Sequence, residues 1–219
     1  SFLRYNAEDT WMDAVEFNPS VTPRIKAHTR TLSSAAKMQL SSSEIDLYSG
    51  DQKTLNASAT RSEMDASGIV WESSDTSVAA VNGSGVVTAK NPGTATITCY
   101  GKNARGIRAT CKVTVKLRQT TGVKLVSKAF NRIRISWKAV PGCNRYAIYR
   151  WDERENSKKM ATVTADVVTW QDTAVKTGST YTYRIRASYV HSGKKTVYGA
   201  ASSPLSAKAE LGKARAVAE

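Results

Sequence analysis

From Leu40 onward, apolar and polar positions alternate in short runs cut by glycine- and asparagine-rich turns: YSGD, NGSG, NPGT, KNARG, VPGC, KTGS and HSGKK. A period of two broken by such turns predicts strands with one face in a core and the other in water. VVTA (86–89), TATITCY (94–100) and ATCKVTV (109–115) form one series. RIRISW (132–137), RYAIYR (145–150), KMATVTA (159–165), TYTYRIRAS (180–188) and KTVYGA (195–200) form a second. No stretch after residue 40 keeps the 3.6-residue period of a long helix. The predicted class is all-β, with two tandem β-sandwiches.

The alternation also assigns faces. Ile133, Ile135 and Trp137 point inward, which sends Arg132, Arg134 and Lys138 outward. Tyr146 and Ile148 point inward and leave Arg145, Tyr149 and Trp151 outside. Tyr181, Tyr183, Ile185 and Ala187 point inward, so Arg184 and Arg186 face water. One strand series ends and the next begins within VKLRQTTGVKL (115–125), without a long linker. The expected domains are 36–117 and 118–208, with a tail at 209–219, and so short a linker is expected to restrict movement between them.

Residues 1–35 form a short N-terminal extension of a different character. Asp9 or Thr10 is placed to cap a short helix carrying Trp11, Ala14 and Val15 on one face, ended by Pro19. Phe2, Tyr5, Trp11 and Phe17 are too apolar for a solvated linker, so this piece is expected to pack on something. SFLRYNAEDTW lacks the basic start and apolar run of a signal peptide, so an exported form of the chain is expected to be already processed. No run of about 18 apolar residues exists, and no membrane span is expected.

The chain has 219 residues, and its 32 Lys and Arg against 18 Asp and Glu give a formal charge of +14. That charge is unevenly placed. Residues 1–35 hold 4 basic and 4 acidic side chains, residues 36–117 hold 9 and 7, and residues 118–219 hold 19 and 7. A partner drawn by charge is therefore expected to meet the C-terminal half.

Residues 36–117 resemble the bacterial Ig-like domain, group 2, in LSSSEIDLYSGDQKTLNA, IVWESSDTSVAAVNGSGVVTAKNPGTATITC and ATCKVTV. Residues 118–208 resemble a fibronectin type III domain. RISWKAVPGCNRYAIYR is similar to its strand B, turn and strand C, and WQDTAVKTGSTYTYRIRAS to the run into strand F, with Tyr181 at the tyrosine-corner position. Val175 stands where that family usually has leucine. The resemblance implies two tandem Ig-like β-sandwiches and an extracellular or bacterial cell-surface location, since both families occur mainly as repeats in exported proteins. It also places strands C and F side by side, so that Arg145, Tyr149, Trp151, Arg184 and Arg186 share one surface.

Arginine beside exposed aromatics holds polyanions or stacks on sugars, and the same arrangement also serves to keep a solvated sheet soluble. The partners expected are anionic cell-envelope polymers or glycans, such as teichoic acids, with a host or cell-surface protein as a further class. Nucleic acid is not expected, because neither a recognition helix nor an RNA-binding motif is present. The overall expectation is a non-catalytic spacer and adhesion module. The alternative is an accessory carbohydrate-binding or spacer region of a larger polysaccharide- or peptidoglycan-active enzyme.

Other chemistry is sparse. A hairpin centred near Arg105 would set Cys99 opposite Cys111, leaving a disulfide or two buried thiols as the alternatives. Cys143 lies in a turn, and the two histidines, His28 and His191, supply no evident base for it. There is no CxxC pair, HExxH, EF-hand loop, P-loop or dinucleotide fingerprint, so neither metal nor cofactor is expected. Asp46, Asp51, Asp65 and Asp75 read as turn caps or, alternatively, as contributors to an interfacial calcium site.

Overall fold

A computed structural model describes residues 37–60, 68–102, 104–152, 157–192 and 195–210. Strand follows strand, with no helix among the described residues. The first nine strands are β1 (Met38–Leu40), β2 (Glu44–Tyr48), β3 (Gln52–Thr54), β4 (Ala57–Ala59), β5 (Ile69–Ser73), β6 (Ala79–Val81), β7 (Val86–Ala89), β8 (Gly93–Gly101) and β9 (Ala104–Lys116). They build a four-stranded sheet in the order β2-β9-β8-β5 and a three-stranded sheet β3-β7-β6, with β1 and β4 paired beside them. Only β2 and β9 run parallel; the other pairs are antiparallel.

Leu55, Val78, Val87, Ile97, Val113 and Val115 are buried in one cluster of this first sandwich. β-branched residues suit such a pleated interior, and each buried aliphatic side chain contributes about 1.5–3 kcal/mol. The turn before β7 depends on backbone freedom. Gly85 has φ +76°, and a Cβ there would lie 2.4 Å from the Leu55 carbonyl oxygen and 2.7 Å from the Trp71 ring. Trp71 itself is half-buried against the core edge.

The second series is β10 (Lys124–Ala129), β11 (Arg132–Ser136), β12 (Arg145–Trp151), β13 (Ser157–Thr164), β14 (Thr169–Asp172), β15 (Thr180–Val190), β16 (Thr196–Tyr198) and β17 (Leu205–Lys208). One sheet is β10-β11-β14 and the other β13-β12-β15-β16, with β17 also paired to β15. Ile133, Ile135, Trp137, Tyr146, Ile148, Tyr181, Tyr183 and Ile185 fill the core, so the alternation assigns these inward positions correctly. Val175 is buried with them. The fold thus consists of two β-sandwiches with separate cores.

Buried phenols require partners. The Tyr181 hydroxyl accepts the Lys176 N–H at 3.0 Å, the local turn-back expected of a tyrosine corner. The Tyr146 hydroxyl accepts the Val140 N–H at 2.8 Å. The Tyr183 hydroxyl donates to Asp172 at 2.9 Å.

Strands stop at Lys116 and resume at Lys124, and the residues between are tied down on both sides. Leu117 enters the second core. Thr120 is fully buried, and its hydroxyl accepts the Ala187 N–H at 3.2 Å. Gln119 donates to the Ala201 carbonyl at 2.8 Å. Arg118 turns back toward the first sandwich, pairing with Asp51 at 2.5 Å and lying 4.7 Å from the centre of the Tyr48 ring. The turn containing Ser49 abuts the turn containing Gly142. Gly142 has φ +71°, and a Cβ there would approach Ser49 Cβ to 2.4 Å and the Lys90 carbonyl oxygen to 2.7 Å.

Candidate binding face

The outward face of the β13-β12-β15-β16 sheet is set by strand register. Tyr149 lies directly opposite Arg184, Ala147 opposite Arg186, Trp151 opposite Thr182, and Arg145 opposite Ser188. All five residues singled out by sequence therefore occupy two neighbouring strands: Arg145, Tyr149 and Trp151 on β12, Arg184 and Arg186 on β15. On the other side of β12, Lys159 faces Tyr149, Thr164 faces Arg145 and Ser157 faces Trp151. The paired positions are hydroxyl, aliphatic or cationic, and none is a carboxylate. Repulsion within the face is therefore not relieved from inside it, and the face carries a positive field.

The aromatics are not bare. The Arg184 guanidinium sits 5.7 Å from the Trp151 ring centre, and Trp151 lies 6.3 Å from Tyr149 at a tilt of 43°. Arg186 lies 4.5 Å from the Tyr198 ring centre while its Nε donates to the Gly199 carbonyl at 2.9 Å. Each such contact is worth about 0.5–1 kcal/mol at an exposed site. Each ring thus has a guanidinium beside it, and a guanidinium carries five N–H donors, of which the hydrogen bond to Gly199 uses one on Arg186.

Sequence reasoning missed Lys159 and Tyr198. Lys159 shares the parity of the inward Ala161 and Val163, so alternation through KMATVTA points it inward; the register shift between Ile148 and Tyr149 sets it opposite Tyr149 instead. Tyr198 lies in a three-residue strand, too short for alternation to assign a face.

It also missed the most deeply buried charge among the described residues. Asp172 is 1% exposed and accepts from Arg150 Nη1 at 2.8 Å, from Tyr183 at 2.9 Å and from the Ala174 N–H at 2.9 Å. Arg150 also donates to the Ala174 carbonyl and covers the Tyr181 ring at 4.7 Å. Every oxygen of Asp172 is engaged, the condition under which a buried ion pair is tolerated. Its role is structural. Desolvation and the Asp172 charge push the Tyr183 phenol well above the ordinary tyrosine range.

The cysteine expectation needs correction. Cys99 lies opposite Ala109, and Cys111 opposite Ile97, so the two are diagonal rather than directly opposed, and both are free thiols. Diagonal partners sit about 7–8 Å apart, outside the disulfide window. The reason is the hairpin tip. The chain reverses between Gly101 and Ala104, not at Arg105, and extra residues on β9 between Ala104 and Arg108 shift the register. Burial pushes both thiols above their ordinary pKa. Cys143 shows the same upward shift from burial, which works against a nucleophilic role.

The aspartates are engaged locally. Asp46 pairs with Lys116 and Asp51 with Arg118, while Asp75 accepts from the Ser77 N–H and hydroxyl. Among the described residues no group of three or more His, Cys, Asp or Glu converges on a metal-sized site. His191 packs edge-on against Tyr189 at 4.8 Å. Among the described residues no helix is long and apolar enough to cross a membrane. The predicted N-terminal helix, His28, Asp65 and most of the C-terminal tail lie outside the described residues.

Residues 34–113 match the family model of the bacterial Ig-like domain, group 2. An 81-residue stretch is 35% identical to an uncharacterized protein of Clostridium acetobutylicum, covering 37% of this chain and 8% of that protein. The chain thus spans under a tenth of that relative's length. Among solved structures, an Fn3-like protein from Clostridium thermocellum is 26% identical, with 44% of this chain and 94% of that chain covered and a TM-score of 0.33. A multi-domain fragment of titin is 13% identical over 80% of this chain and 66% of its own, with a TM-score of 0.38. The sixth fibronectin type III domain of a human fibronectin type III domain containing protein is 10% identical over 46% and 92%, with a TM-score of 0.35.

Proposed function

We propose that this chain is a non-catalytic part of a bacterial cell-surface or secreted protein. It acts as a spacer and adhesion module that contacts anionic envelope polymers or glycans through its second sandwich. The observation that carries this reading is the β12–β15 face, where Arg145, Arg184, Arg186 and Lys159 share a surface whose paired positions hold no carboxylate. The location rests on the bacterial Ig-like match, a module type of surface proteins. The tied linker supports the spacer role, because a bonded junction sets a fixed separation.

Binding to immobilised polyphosphate across a salt series tests this. Retention should fall steeply between 50 and 500 mM NaCl, since charges are screened beyond about 8 Å at physiological salt. Replacing Arg184 and Arg186 with Gln should weaken binding about tenfold, equivalent to roughly 1.4 kcal/mol. Trp151→Ala should cost less. Salt-independent retention would overturn the polyanion assignment. A larger loss from Trp151→Ala than from the arginine pair would favour the second reading, an accessory carbohydrate-binding region of a longer enzyme. That reading draws on the Tyr149–Trp151 pair and on the much greater length of the Clostridium acetobutylicum relative.

A further inference from the structure

The first sandwich carries little net charge, yet it has a charged depression of its own. Glu72, Thr98, Tyr100, Arg105 and Arg108 line a half-open hollow of about 270 Å3 on the outer face of the four-stranded sheet. Register explains the meeting. Glu72 on β5 lies opposite Thr98 on β8, while Tyr100 on β8 lies opposite Arg108 on β9. The irregularity in β9 after Ala104 then carries Arg105 back over the Tyr100 ring, 5.5 Å from its centre. Re-aiming a side chain in this way is a usual consequence of a β-bulge.

The lining charges do not neutralise one another. The Glu72 carboxylate accepts the Tyr100 hydroxyl, and neither arginine forms an ion pair with it among the described residues. Two arginines on β9 and a carboxylate on β5 therefore line the hollow from either side of β8, which contributes the Thr98 hydroxyl and the Tyr100 ring. Arginine forks match a carboxylate in geometry as well as charge, and the free lone pairs of Glu72 accept from hydroxyls. The volume lies just below the roughly 300–1,000 Å3 range of small-molecule pockets, so the space suits a single ring rather than a folded partner.

We infer that this hollow is a second binding site, specific for a small hydroxylated carboxylate of the uronic-acid class. Arg105 and Arg108 take the carboxylate, and Glu72 and Thr98 take the hydroxyls. The site is separate from the β12–β15 face and does not depend on the polyanion reading.

Amide NMR titration of the intact chain with glucuronate tests it, with glucose and acetate as the arms lacking the carboxylate or the hydroxyls. Glucuronate should shift Thr98, Tyr100 and Arg108, and glucose and acetate should each bind at least about tenfold more weakly. Arg108→Gln and, independently, Arg105→Gln should each reduce glucuronate affinity about tenfold, with chemical shifts elsewhere confirming the fold. Glu72→Gln should narrow the gap between glucuronate and acetate. The Arg184 and Arg186 double variant should leave all these shifts in place, which separates a failure here from a failure of the polyanion reading. Equal binding of acetate and glucuronate, unchanged affinity in both arginine variants, or shifts confined to the second sandwich would overturn the assignment.

Discussion

The two sandwiches solve the same architectural problem with different interiors. The first core is aliphatic, built on Leu55, Val87, Ile97 and Val113, with no buried ion pair among the described residues. The second is built on Trp137, Tyr146, Tyr181 and Tyr183, and it encloses the Arg150–Asp172 pair. An aliphatic interior is insensitive to pH and tolerant of modest change in side-chain shape. An aromatic interior with hydroxyls and charges has to satisfy each polar atom, and it fails sharply when one partner is removed. The second sandwich is therefore predicted to be the fragile half.

The largest break should come from Asp172→Ala. Arg150 is 16% exposed in its side chain, and Tyr183 would also lose its acceptor. A loss of about 3–5 kcal/mol is expected, read as a lowered urea midpoint for the second sandwich. A shift under about 1 kcal/mol would mean that water replaces the carboxylate there.

Gly142→Ala comes next, at about 1–3 kcal/mol, because it adds left-handed backbone strain to the approach against Ser49. This change should also uncouple the two sandwiches, so that one denaturation transition becomes two.

Alkaline pH sharpens the contrast without mutation. Burial holds the Tyr146 and Tyr183 phenols well above the ordinary tyrosine value. A folded pKa raised above the unfolded one means that the native state binds the proton more tightly. Its stabilisation is complete below about pH 10 and is lost as pH rises beyond that value. At pH 10.5 the second sandwich should lose about 1–2 kcal/mol, measured by urea titration alongside tyrosinate absorbance. The first should change less, since its interior cluster contains no tyrosine; Tyr100 is shifted through Glu72 on the outer face.

Arg118→Ala should cost only about 0.5–1 kcal/mol, because the side chain is half exposed. Its clearer readout is interdomain mobility by NMR relaxation, which should rise. The smallest effect is predicted for reductant. Cys99 and Cys111 are free and diagonal, so dithiothreitol should leave the melting temperature unchanged, and denatured chain should titrate three thiols.

Strands and faces were legible in the sequence wherever alternation ran for five residues or more. Tyr183 and Ile185 could be placed because Thr182, Arg184 and Arg186 around them are polar. Register was not legible. The Cys99–Cys111 error came from assuming a symmetric hairpin, and one irregular stretch on β9 moves every pairing beyond it. Arg150 was passed over because a charged residue at an inward parity looks like an exception. Only its long-range partner, Asp172, makes the position reasonable. The hollow around Tyr100 depends on that same irregular stretch and could not be seen without it.

The turn-on-turn contact between Ser49 and Gly142, together with the backward reach of Arg118, also bears on inheritance. Each sandwich carries half of a lock whose other half lies in its neighbour. A sandwich transplanted alone into another protein would arrive with a Ser49 or a Gly142 facing an unmatched surface, and with Asp51 lacking its guanidinium. The transferable part is the pair with its linker, so recombination that cuts near residue 118 would select against itself even though both halves fold around separate cores.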